Sequence, residues 1–205
     1  MRRLPIYFLV DTCLSMSGKP IEMVENCING AIKSMKCNPQ ALETNVVNVI
    51  SYGNNKVTFL EEYKLITEIN YQRFNCSGVS NINYGLEAIR EDNSKNFRKS
   101  TQEKKGDYKP MIFVFTGIAP NSKIDNSLIN YFDKNFSHGY LDFKDSFVEE
   151  EFEFIKTAKA NYIFIITSEN NFTKNSYENY FSNVLSYEDV ESFVFKFNNF
   201  FKWIS

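Results

Sequence analysis

At 205 residues, with 43% hydrophobic and 23% charged side chains, the chain can bury one sizeable core and reads as a single globular domain over residues 1–205. Lys and Arg (23) nearly balance Asp and Glu (25), and a net charge of -2 leaves no electrostatic footprint for nucleic acid. The longest apolar runs, such as YIFII at Tyr162–Ile166, are too short to span a bilayer, so no membrane association is expected and the cytoplasm is the expected compartment.

In chain order, Pro5–Val10 is a continuous apolar run that predicts a strand buried on both faces. Ile21, Val24, Ile28, Ile32 and Met35 then recur at spacings of three and four, the stripe of an amphipathic helix, with Pro20 at its first turn. Asn45–Tyr52 predicts a second strand, and KVTFL after the turn GNN predicts its hairpin partner. A helix begins around Tyr84–Ile89, with Gly85 inside its first turns. Met111–Phe115 predicts a fourth strand, and Asn126–Phe136 and Phe147–Ala158 predict helices. In the second of these the acidic run EEEFEF (149–154) forms a solvated face, with Phe147, Phe154 and Ile155 turned inward. Tyr162–Ile166 predicts a fifth strand, and Val190–Trp203 a closing helix. This alternation predicts an α/β fold: a doubly wound, mostly parallel sheet with one antiparallel edge strand and helices on both faces.

In such a sheet a ligand site lies beyond the carboxyl ends of the strands. Three polar loops take those positions: DTCLSMSG (Asp11–Gly18), SGVSN (Ser77–Asn81) and TGIAPN (Thr116–Asn121). Cys13, Cys27, Cys37 and Cys76 form no CxxC pair, and the single histidine, His138, has no ligand spacing to them. The pattern therefore predicts reduced thiols and no zinc site. Cys13 lies near the start of the predicted helix, where a thiol pKa can fall, yet no base is paired with it. Asp11, Ser15 and Ser17 can also be read as a turn acceptor and helix caps.

The three loops resemble those of von Willebrand factor A (vWA) domains. DTCLSMSG resembles the D-x-S-x-S turn, SGVSNI the G-G-T-N segment, and FVFTGIAP (Phe113–Pro120) the strand-end T-D-G-x-P. Within that family the chain more closely resembles the TerY-like branch, linked by name to tellurium resistance, through RRLPIYFLVDT, SMSGKPIE, ALETNVVNVISYG, KKGDYKP and FFKWIS. Those stretches run from residue 2 to 205, and a divergent insertion is expected around 121–160.

The resemblance implies a Mg²⁺ or Mn²⁺ adhesion site, with Asp11 as the first carboxylate, Ser15 as the second serine and Ser80 in place of the threonine. Cys13 stands where the first serine belongs, and Gly117 where the T-D-G aspartate belongs. A soft sulfur replaces a hard oxygen and one carboxylate is lost, so the metal site is expected to be weakened or absent. Asp107 could supply a replacement carboxylate, although no motif places it there. The function implied is a non-enzymatic protein-interaction module, beside tellurium-resistance or stress-response proteins, with another protein as partner. Two alternatives are a hydrolase or phosphatase using Asp11 as nucleophile, and a metal-free scaffold domain.

Overall fold

The structure is a computed structural model, and the residues it describes are 2–117, 123–136, 162–165 and 184–186. Strand β1 (Leu4–Asp11) is buried along nearly its whole length, as its unbroken apolar run requires. Helix α1 (Lys19–Lys36) follows, with Pro20 in its first turn, Glu22 near its amino end and Lys33 and Lys36 in its last turn, charges that match the helix dipole. A short helix α2 (Pro39–Thr44), not anticipated above, is started by Asn38, whose side chain accepts from the N–H groups of Gln40 (2.8 Å) and Ala41 (3.3 Å).

Strands β2 (Asn45–Gly53) and β3 (Lys56–Leu65) form the expected hairpin. Asn54 and Asn55 both have positive φ (49° and 56°), the conformation that a tight hairpin turn demands and that Asn tolerates. β3 is longer than KVTFL because the register shifts twice against β2 and the strand continues past the irregularities. Tyr63, at φ 49°, donates its N–H to the Asn48 side chain (2.8 Å).

Helix α3 (Ile82–Asn96) starts at Asn81, which accepts from Asn83 N–H at 3.0 Å. Gly85 lies in its first turns because a Cβ there would sit 2.8 Å from the Leu9 side chain, so the helix could not approach the sheet as closely. Strand β4 (Met111–Thr116), helix α4 (Asn126–Asn135), strand β5 (Tyr162–Ile165) and strand β6 (Val184–Ser186) complete the described strands and α-helices. β6 was not foreseen from the sequence. The sheet order is β3-β2-β1-β4-β5-β6, parallel throughout except for the β2/β3 pair.

The period-2 geometry of β1 splits its side chains between two cores. Ile6, Phe8 and Val10 join Val47, Val49, Phe113 and Phe115 beneath α1, whereas Tyr7 and Leu9 join Ile50, Tyr52, Ile112 and Val114 beneath α3 and α4. Ile124, Leu128, Phe132 and Phe136, the start of the 121–160 stretch, are part of this second core. The helices expected at Phe147–Ala158 and Val190–Trp203, the EEEFEF face and His138 lie outside the described residues. Among the described residues no helix is long and apolar enough to cross a membrane.

Candidate functional site

β1 is flanked by β2 on one side and β4 on the other, so the chain reverses its direction of winding there and the carboxyl ends of β1 and β4 border a crevice. Val10 pairs with Phe115, which brings the next residues, Asp11 and Thr116, side by side. Asp11 is fully buried: one carboxylate oxygen accepts from Cys13 N–H (2.9 Å) and the other from the Thr116 hydroxyl (3.0 Å). Thr116 is the contributor that reading the motifs one by one misses. Its signal was present as the threonine of FVFTGIAP, but only strand register shows that it faces Asp11.

Backbone bonds fasten the loops together. Thr12 N–H donates to the Tyr52 carbonyl (2.9 Å), the Thr12 carbonyl accepts from Ser77 N–H (2.8 Å), and Leu14 N–H donates to the Gly78 carbonyl (2.9 Å). Gly78 is required at this join: its φ is +63°, and a Cβ would lie 2.5 Å from the Asn54 side chain. The Cys13 sulfur lies 2.9 Å from the Ser15 hydroxyl, and Ser80 also bonds to it. Asp11, Cys13, Ser15 and Ser80 therefore do converge, with Ser80 buried and Ser15 exposed. Gly117 is buried next to Thr116 and offers no side chain.

Burial pushes the Cys13 thiol up, the neighbouring Asp11 carboxylate adds to that, and the bonds to Ser15 and Ser80 oppose without reversing it. The lowered pKa considered for a thiol near a helix start is not found here. Cys13 precedes a single 3-10 turn (Leu14–Met16) and not α1 itself. Nor do Ser15 and Ser17 cap α1: Gly18 occupies the cap position, with no side-chain cap bond.

This donor set does not fit a hard divalent cation. It offers one carboxylate, whose two oxygens already accept hydrogen bonds, a protonated thiol and the hydroxyls of Ser15, Ser80 and Thr116, with no second anion in the set to offset dehydration of the ion. Asp107 does not add a carboxylate to this set. It lies at the amino end of β1, about 25 Å away along an eight-residue strand, paired with Arg3 at 2.6 Å. Among the described residues no group of three or more His, Cys, Asp or Glu could hold a metal.

Set beside solved structures, the chain is similar to the VWA domain of SpRpn10, with a TM-score of 0.53 at 11% identity, over 94% of both chains. The fold is von Willebrand factor A-like. It is also similar to proximal thread matrix protein 1 of the mussel byssus (TM-score 0.57, 12% identity, 99% of this chain) and to a D319A mutant of the PilB minor pilin of Streptococcus sanguinis (0.60, 14%, 100%). The chain spans 48% and 62% of the lengths of those two proteins. By sequence, no protein-family profile and no curated protein matches.

On this vWA-like frame the loop face carries exposed apolar residues where hydrophilic loops would be the norm. Leu14 is 67% and Val79 63% exposed, and the bond from Leu14 N–H to the Gly78 carbonyl sets them next to one another. Tyr84, in the first turn of α3, is half exposed.

Proposed function

We propose that the chain is a non-enzymatic protein-interaction module of the vWA type that binds its partner through the Asp11 loop face without a bridging cation. The observation that carries this reading is the paired exposure of Leu14 and Val79 above a set of polar groups that satisfy one another. Exposed apolar side chains cost little in a monomer but contribute on desolvation by a partner. The burial of Asp11, with both oxygens engaged, supports this over a phosphatase reading, which needs a carboxylate open to in-line attack on substrate. By resemblance to TerY-like proteins, the partner belongs to a cytoplasmic tellurium-resistance or stress-response system, with kinase and phosphatase components among the candidates.

The test is an affinity capture from the native organism with the wild-type chain and with Leu14→Asp/Val79→Asp. Proteins held by the wild type and released by the variant are expected; identical capture by both would sink the loop-face reading. In parallel, Asp11→Ala and wild type are compared in Mg²⁺ and Mn²⁺ by thermal shift. A metal-dependent rise confined to the wild type would contradict the cation-free version.

A further inference from the structure

A second surface, remote from the loop face, has the character of a binding site. The carboxyl-terminal half of α1 and the segment from Ile69 to Tyr71 border a groove of about 490 Å³. Its lining includes Lys33, Lys36, Asn26, Asn70 and Tyr71, and none of the lining residues is acidic. At 1.5 Å per residue from Lys19, the groove begins about 10 Å down α1 at Asn26, and Lys33 lies about 20 Å down.

Its walls are fixed by hydrogen bonds. The Asn29 side chain donates to the Gln72 carbonyl (2.9 Å) and accepts from Gln72 N–H (2.7 Å), clamping the 69–74 segment to α1. Lys36 Nζ reaches across to the Ile69 carbonyl (2.7 Å), which orients the ammonium while leaving two of its three donors for a ligand. Lys33 is exposed on the next turn. Of the acids flanking the lining, Glu25 accepts from Phe74 N–H (2.8 Å) and Glu61 accepts from Gln72 (3.1 Å) and pairs with Lys64, while Glu68 is exposed beside Ile69. Tyr71 is 63% exposed, and the Arg73 guanidinium lies 5.9 Å from its ring centre, adding a third cation beside the groove.

We propose that this groove binds an acidic, extended segment of a partner protein. Lys33, Lys36 and Arg73 supply charge complementarity to Asp or Glu side chains, Tyr71 offers an apolar platform with little conformational entropy to lose, and the amides of Asn26 and Asn70 match the donors and acceptors of a peptide backbone. The groove is more open to solvent than the enclosed clefts that surround most of a small ligand. Three cations on a chain of net charge -2 are too few for a nucleic-acid track. This proposal does not depend on the loop-face reading.

A phage-displayed library of random octapeptides, panned on the full chain, tests it. Recovered peptides are expected to be enriched in Asp and Glu. Measured by fluorescence anisotropy, their binding is expected to weaken about tenfold or more in Lys33→Glu and in Tyr71→Ala, and to weaken as NaCl rises from about 50 to about 500 mM. Binding should be unchanged in Leu14→Asp, which separates this groove from the loop face. The proposal is overturned if no peptide is recovered above background, if recovered peptides show no acidic bias, if Lys33→Glu binds them as wild type does, or if single-stranded DNA binds the groove in their place.

Discussion

The two ends of β1 each hold a buried carboxylate, and they hold it by different means. At the amino end Asp107 is paired with Arg3 at 2.6 Å and accepts from Arg98 N–H, inside a set of bonds in which Arg3 also reaches the Asn96 carbonyl and Tyr7 donates to Asp92 (2.7 Å). At the carboxyl end Asp11 makes no ion pair among the described residues and is held by an N–H and a hydroxyl. The end that carries the vWA-like loops is thus the electrostatically quieter one. A carboxylate can be kept buried by neutral donors alone, without a counter-ion, provided strand register delivers a hydroxyl to its free oxygen.

The sharpest break in this contrast is Arg3→Met. It strands Asp107, whose side chain is 1% exposed, without its partner, and a loss of about 3 kcal/mol is expected by urea denaturation. Burial alone would raise the Asp107 pKa, but the bonds from Arg3 and Arg98 outweigh it and hold it below the ordinary 3.8. The contribution of the pair is therefore complete above pH 3.8 and is lost as pH falls below it, so wild type should lose more stability than Arg3→Met between pH 5 and pH 3.

Next in size is a restoration at the other end. Cys13→Ser/Gly117→Asp places a hydroxyl and a carboxylate where the vWA resemblance would expect them, and Mg²⁺ at about ten times a millimolar Kd would then stabilise the variant by about 1.4 kcal/mol. No shift at that concentration would show that these two positions are not what limits metal binding here. Thr116→Val is smaller, about 1 kcal/mol, because it removes one donor from Asp11 and leaves Cys13 N–H in place. The smallest effect distinguishes the thiols. Cys37 is exposed and should react first with an alkylating reagent at pH 8, followed by Cys76, which burial pushes up to about 11. Buried Cys13 and Cys27 should react only on unfolding.

Periodicity alone placed β1, α1, β2, β4 and α4 within a few residues, because each has a strong apolar pattern matched to one geometry. It missed α2, a six-residue helix fixed by an Asn38 cap and Pro39, and β6, a three-residue strand; both are too short for a period to register. It also stopped β3 early, since the two register shifts interrupt alternation while the hydrogen-bonded ladder goes on. Of the site, the convergence of Asp11, Cys13, Ser15 and Ser80 was legible from loop motifs after strands. Neither the Asp11 to Thr116 bond nor the remoteness of Asp107 was.

What the sequence by itself determined is the alternation of buried strands and amphipathic helices, and with it an α/β sheet; it also sets Cys13 and Gly117 at the two positions where the vWA resemblance would expect a hydroxyl and a carboxylate. Composition and pattern are local properties, and these conclusions need nothing more. Only the tertiary structure decided what surrounds those two positions. Pairing β1 with β4 in a register that opposes Val10 to Phe115 presents the Thr116 hydroxyl to Asp11, and packing of the loops buries Cys13 beside Ser15 and Ser80 while turning Leu14 and Val79 outward. Distances between residues a hundred positions apart follow from how strands align across the sheet, a long-range choice that no local pattern encodes.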